Sequence, residues 1–197
     1  MTRTTKASFA SVLIPVLVVL AVAWGALSLL KSSLGTRTHS TAAVDFKVGA
    51  ILPDLRFESL DGSSANGVML SQSKHKVLLI NFWATWCEAC MDEMPSLVKL
   101  HQEFHSQGFE IYGVNLDEKP QQAIPATVAE FGIPFPNFVD RDEKLSDAFD
   151  VHAIPLTIII DQSRRVLETV AGDRNWMRAD FVERLKGWLA QADQAKR

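Results

Sequence analysis

The run VLLINFW at residues 77–83 restricts the fold more than any other feature of this chain. Only Asn81 interrupts its apolar character, so a strand formed here must be covered on both faces, as at the centre of a parallel or mixed sheet. A helical period comes next. Met94, Leu97, Val98, His101 and Phe104 fall on one side of a helix predicted over 87–106, and Gly108 stops it. FEIYGVN at 109–115 is the next strand. Strand, helix, strand in that order forms a parallel crossover unit, right-handed by the general rule. An α/β domain with a mixed central sheet flanked by helices is the fold class.

The remaining periodicity completes the domain. Residues 55–60 and 68–70 read as an opening hairpin around Asp61-Gly62. A short helix is predicted over 125–131, because Pro125 would interrupt one beginning at Pro120. After it come a strand at 137–139, a helical turn at 143–149 and a strand at 156–161 that turns at Gln162-Ser163 into 166–171. A last amphipathic helix over 178–191 turns Phe181, Val182, Leu185, Trp188 and Leu189 inward. A βαβ half thus precedes a ββα half.

Ahead of this domain, residues 8–30 carry no charged side chain. As a helix they would reach about 34 Å, enough for a hydrocarbon core of about 30 Å. Arg3 and Lys6 precede the stretch, so the positive-inside rule leaves residues 1–7 in the cytoplasm and exports the chain beyond Lys31. The alternative is a cleaved signal peptide with Ala21-Val22-Ala23 as its small-residue site; the apolar run continues past it to Leu30, which favours a retained anchor. Residues 31–45, rich in Ser and Thr and without period, are a linker. Residues 46–197 form the domain, in a periplasmic or other extracytoplasmic space. The formal charge of -3, with no Lys/Arg stripe, excludes a basic nucleic-acid binder, and 47% hydrophobic residues exclude a disordered polyelectrolyte.

Both cysteines of the chain, Cys87 and Cys90, stand in Trp86-Cys87-Glu88-Ala89-Cys90, between the buried strand and the long helix. A disulfide closing so short a loop stabilises by at most about 2 kcal/mol, so a staple explains the pair poorly. Structural zinc would require two further ligands, and c-type haem would require His where Met91 stands. A redox dithiol lacks nothing. At a helix N-terminus, unpaired N–H groups and the helix dipole stabilise the Cys87 thiolate, the species that attacks disulfides. Cys90, one turn deeper, can resolve the mixed disulfide. The plain alternative is two inert core cysteines.

The segment Asn81-Phe82-Trp83-Ala84-Thr85-Trp86-Cys87-Glu88-Ala89-Cys90 with Glu93-Met94-Pro95 resembles the active site of the membrane-anchored TlpA/ResA-like thioredoxins. The resemblance runs from about Val48 to Leu189. It takes in Val48-Gly49 with Pro53-Asp54, an insert from Val114-Asn115-Leu116-Asp117 through Phe135-Pro136, Ile154-Pro155, and residues 172–176. It implies a thioredoxin-like fold with an N-terminal hairpin extension and a central insert, preceded by one transmembrane helix. It further implies that Cys87 is an exposed nucleophile, Cys90 the resolving thiol, and Pro95 a helix proline that kinks the active-site helix. Pro155 would be a cis-proline facing the dithiol, with the Ile154 backbone and Trp86 contacting substrate and Trp83 mainly packing. No cofactor is expected beyond the Cys87–Cys90 disulfide itself. The implied partners are exported cysteine-containing proteins, such as apocytochromes or copper-site proteins of oxidase assembly, and a transmembrane thiol electron donor.

Departures from the wider pattern carry information. Asn81 stands where thioredoxins proper have a buried acid, so another group must help deprotonate Cys90, and Glu88 is the candidate. Its charge beside Cys87 disfavours the thiolate and pushes the couple toward a reductant. Leu156 replaces an acid frequent in the cytochrome c maturation branch, which weakens an apocytochrome-specific reading. Asp92 and Glu93 read as well as helix-dipole partners as they do as proton relays, His152 reads as a loop histidine, and Trp176 and Trp188 read as core. His101 and His105 stand at i and i+4, a possible metal pair, but with His101 on the apolar side the reading is structural and no metal site is expected. The expected activity is a protein-disulfide reductase. A Cu(I)-binding metallochaperone and a disulfide-donating oxidant are the alternatives.

Overall fold

In the computed structural model, which describes residues 46–60 and 67–194, β3 (Val77–Trp83) is buried along its whole length. The proposed anchor at 8–30, the linker at 31–45 and the Asp61-Gly62 turn lie outside the described residues. Among the described residues, no helix is long and apolar enough to cross a membrane. All of them belong to one compact unit, Thr41–Arg197.

Around β3 the chain builds β1 (Arg56–Ser59), β2 (Val68–Met69), α1 (Glu88–Phe104), β4 (Phe109–Asn115), α2 (Pro120–Phe131), β5 (Asn137–Val139), α3 (Lys144–Ala148), β6 (Leu156–Asp161), β7 (Val166–Ala171) and α4 (Ala179–Gln194). Among the described residues the strands form one mixed sheet in the order β2-β1-β5-β4-β3-β6-β7. β3 pairs parallel with β4 and antiparallel with β6, and β4 pairs parallel with β5. The opening hairpin is present, with Phe57 opposite Val68, and β1 also pairs antiparallel with β5.

Strand alternation divides the core in two. Val77, Leu79 and Trp83 of β3 join Met94, Leu97, Leu100 and Phe104 of α1 and Phe181, Leu185 and Leu189 of α4. Leu78, Ile80 and Phe82 join Tyr112, Val114, Phe149, Ile158 and Ile160 in the other cluster. Val182 and Trp188, expected to face inward, are half-buried at the margin of the first cluster. Residues 49–52 cover the outer edge of β7, with Gly49 N donating to Val166 O at 2.8 Å and Leu52 N to Arg164 O at 2.9 Å. Gly49 adopts φ +92° there, a conformation natural only to glycine.

One boundary departs from expectation. α2 begins at Pro120, not near Pro125, and runs through the second proline. Pro120 occupies the first turn, where no N–H is needed. Pro125 is exposed, and the carbonyl it leaves unpaired belongs to Gln121, itself exposed, so water can satisfy it. α1 likewise continues through the exposed Pro95, and ends at Gly108 in the left-handed region after a short 3-10 turn, His105–Gln107.

Candidate active site

β3 delivers the chain to the site, and α1 receives it. Cys87 is the N-cap of α1, with extended backbone (φ −90°, ψ 101°), and its sulfur accepts a hydrogen bond from Cys90 N at 3.2 Å. The capping position therefore aims an otherwise unpaired helix N–H at Cys87 Sγ, as thiolate stabilisation requires. The two cysteines form a disulfide, with Cα atoms 5.2 Å apart. Cys87 is the more accessible of the two, but at 7% exposure against 1% for Cys90 it is not the openly exposed nucleophile that the resemblance implied. Trp86 next to it is 69% exposed, while Trp83 is fully buried.

Two further loops reach the same end of the sheet. Phe82 pairs with Leu156 across β3 and β6, so Pro155, immediately before Leu156, lies level with the end of β3 from which the dithiol turn departs. The Ile154–Pro155 bond is cis, Pro155 is buried, Ile154 is half-buried, and Pro155 O accepts from Gly172 N at 2.9 Å. After β4, Asp117 pins the turn before the dithiol. Its carboxylate accepts from Thr85 N at 3.1 Å and Thr85 Oγ1 at 2.8 Å, and Asn115 Nδ2 donates to it at 2.7 Å. Sequence reasoning passed over Asp117 as part of the insert.

The buried acid on the Cys90 face of α1 is Glu93, whereas Glu88 is exposed. Glu88 lies exposed in the first turn of α1, where its charge meets the helix dipole and solvent. Glu93, which read equally as a dipole partner or a proton relay, is 2% exposed and sits one turn after Cys90, so the two share a face of α1. Its Oε1 accepts from Asn81 Nδ2 at 2.8 Å, and its Oε2 accepts from Trp176 Nε1 at 2.9 Å and Arg174 N at 3.3 Å. Asn81 Nδ2 also donates to Thr157 Oγ1 on the neighbouring strand at 3.0 Å. Burial pushes the Glu93 carboxyl up to about 7 against the pull of these donors, and the charge of Asp173 adds to the rise. A cleft lined by Asp92, Glu93, Pro95, Ser96, Asp173 and Arg174 leads from it to solvent. A carboxyl titrating near neutrality, on the face of the helix that carries the resolving thiol, is suited to take and return a proton.

The other residues singled out from sequence take simpler places. His152 is exposed and lies 2.9 Å from Asp150. Trp176 is fully buried, as expected of core, but it also serves as a donor to Glu93. Trp188 is half-buried. His101 is buried against Glu110, at the other end of the sheet.

The AhpC/TSA family pattern matches residues 48–169. The thiol-disulfide oxidoreductase ResA of Bacillus subtilis (strain 168) is 35% identical over 113 residues, 57% of this chain. The match spans 63% of that relative, less than two thirds of its length. The ResA protein of Geobacillus kaustophilus (strain HTA426) is 34% identical over 135 residues, covering 68% of this chain and 74% of the relative. Among solved structures, a thiol:disulfide interchange protein of the thioredoxin family from Chlorobium tepidum TLS is 27% identical with a TM-score of 0.61, covering 73% of this chain and 98% of that one. A putative thiol:disulfide interchange protein DsbE from Chlorobium tepidum reaches a TM-score of 0.64 at 24% identity, with the same coverage.

Proposed function

We propose a reductase from one premise: the chain belongs to the AhpC/TSA family and, like the ResA proteins it matches, is a thiol-disulfide oxidoreductase. The observation that carries the proposal is the pairing of a nearly buried Cys87 beside exposed Trp86 with a buried Cys90 backed by Glu93. In the reduced enzyme the Cys87 thiolate attacks one sulfur of a substrate disulfide, forms a mixed disulfide and releases the other substrate sulfur as thiolate. Glu93 takes the Cys90 proton, and the Cys90 thiolate attacks Cys87 Sγ. The second substrate thiolate leaves, and the enzyme keeps the Cys87–Cys90 disulfide. Two electrons pass from enzyme to substrate, and the disulfide is the only redox group this cycle uses.

Trp86 and the Ile154 backbone ahead of Pro155 are the proposed substrate contacts. The substrates are disulfides of exported cysteine-containing proteins, of the kinds met in cytochrome c maturation or oxidase copper-site assembly. The enzyme is tethered to the cytoplasmic membrane through residues 8–30 and works outside the cytoplasm. That compartment is oxidising, so a transmembrane thiol carrier must return the enzyme to the dithiol.

The direction of transfer rests on charge. Glu88 beside Cys87, and Glu93 when ionised, both oppose a stable thiolate, which makes the dithiol readier to give up electrons. Equilibration of the full chain with a dithiol/disulfide buffer tests this. A potential near roughly −270 mV or lower is expected, and one near about −120 mV would replace the reductase with an oxidant.

A further inference from the structure

A second cluster of chemistry-bearing side chains lies at the end of the sheet remote from the disulfide. His101 on α1, His105 in the turn after it, Glu110 at the start of β4 and His75 just before β3 converge there. His101 Nε2 lies 2.7 Å from Glu110 Oε1, and His105 Nδ1 and His75 Nε2 lie 3.4 Å and 3.6 Å from Glu110 Oε2. Ligand atoms of His101, His105 and Glu110 all fall within 4.8 Å of one another. The His101 and His105 rings are 4.6 Å apart between centroids, and those of His75 and His105 are 6.1 Å apart.

Hydrogen bonding accounts for only part of this arrangement. Glu110 Oε1 already accepts from His101 Nε2 at 2.7 Å and from Ile111 N at 2.9 Å. The approaches of His105 and His75 to Oε2 are too long to be good hydrogen bonds. They match a different geometry: two ligand atoms each about 2.0–2.1 Å from a tetrahedral ion stand about 3.3 Å apart. We infer that His101, His105 and Glu110 bind one divalent late-transition cation of the zinc class, through two imidazoles and one carboxylate, with His75 at the rim of the site. Glu110 and His101 are buried and hold the back of the site, whereas His105, with its side chain 51% exposed, leaves an entry path and can close onto the ion. Nitrogen and oxygen donors suit Zn²⁺, while a soft Cu(I) ion prefers thiolates.

The site is separate from the dithiol. The rise along α1 from Cys90 to His101 is about 16 Å. A bound ion would tie the end of α1 to β4, so its effect is on stability and not on thiol exchange.

The test uses the full chain in its disulfide form, so that neither sulfur is free to ligate. Co²⁺ is titrated as a spectroscopic probe and then displaced with Zn²⁺. One saturable equivalent with tetrahedral d–d absorption is expected, along with a Zn²⁺-dependent rise in Tm. Both should persist in a Cys87→Ser/Cys90→Ser double variant. Both should be lost in His105→Ala, an exposed position whose replacement leaves the fold intact by circular dichroism, and weakened in His75→Ala. Absence of saturable binding, binding that survives His105→Ala unchanged, or binding lost in the double cysteine variant would each overturn the proposal.

Discussion

Glu93 and Glu110 are both buried, at 2% and 6% exposure, yet their surroundings drive them in opposite directions. Burial raises Glu93 to about 7, and its hydrogen-bond donors, the indole of Trp176, the amide of Asn81 and a backbone N–H, only moderate the rise. Burial also raises Glu110, but the His101 hydrogen bond, the Ile111 N–H and the charges of His101 and His75 bring it below the ordinary carboxylate value. Neutral donors soften desolvation, whereas partners able to carry positive charge reverse it. One carboxylate is thereby left able to exchange a proton near neutrality, and the other is locked as an anion.

The largest expected effect tests the locked carboxylate. Glu110→Ala leaves the buried His101 imidazole without its acceptor and should cost about 3 kcal/mol of stability at pH 7 in denaturant unfolding, with thiol exchange unchanged. A loss below about 1 kcal/mol would mean that Glu110 is not held as an anion by its neighbours.

The pH dependence of stability should separate the two groups next. Glu93, with its folded pKa above the unfolded 4.5, contributes stability that is complete below 4.5 and disappears as pH rises through about 7. That contribution amounts to about 3 kcal/mol. Glu110, lowered from 4.5, contributes in the reverse sense, with stability present above that value and lost below it. Glu93→Gln should flatten the first window alone. An unchanged slope between pH 5 and 7 would count against the raised carboxyl.

On the reaction itself, Glu93→Gln should slow resolution of the mixed disulfide about a hundredfold and remove the inflection near pH 7, while Glu110→Gln leaves the rate profile in place. Trp176→Phe deletes one donor to Glu93 and should move that inflection upward by about one pH unit, measured by stopped-flow exchange over a pH series. The smallest effect is expected of Glu88→Gln. Its side chain meets solvent, so the exchange rate should change by less than about twofold; a tenfold loss would return the proton-accepting role from Glu93 to Glu88.

Much of this domain was legible from periodicity. The seven-residue spans of β3 and β4, the turn at Gly108 and the inward stripe Met94, Leu97, Val98, His101 and Phe104 are where the apolar pattern put them. These elements are read well because burial on one or both faces imposes a period on adjacent residues. α2 was harder, because whether a proline is tolerated depends on which side of the helix meets water. Glu93 carried a signal that was available: it falls three residues after Cys90 and four before Leu97, on the apolar stripe. Beside Asp92 at a helix start, its dipole and proton-relay readings stay even until something is known to cover it.

The sequence by itself determined the strand, helix, strand unit and the position of two cysteines at its junction, since each of these is a local consequence of residue order. Only the tertiary structure decided which carboxylate is buried on the Cys90 face of α1 and which is clamped among histidines. Asn81, Glu93 and Trp176 come from separate elements, as do His75, His101 and Glu110. A carboxylate's proton affinity is set by what is packed against it, and packing joins residues that the chain keeps far apart.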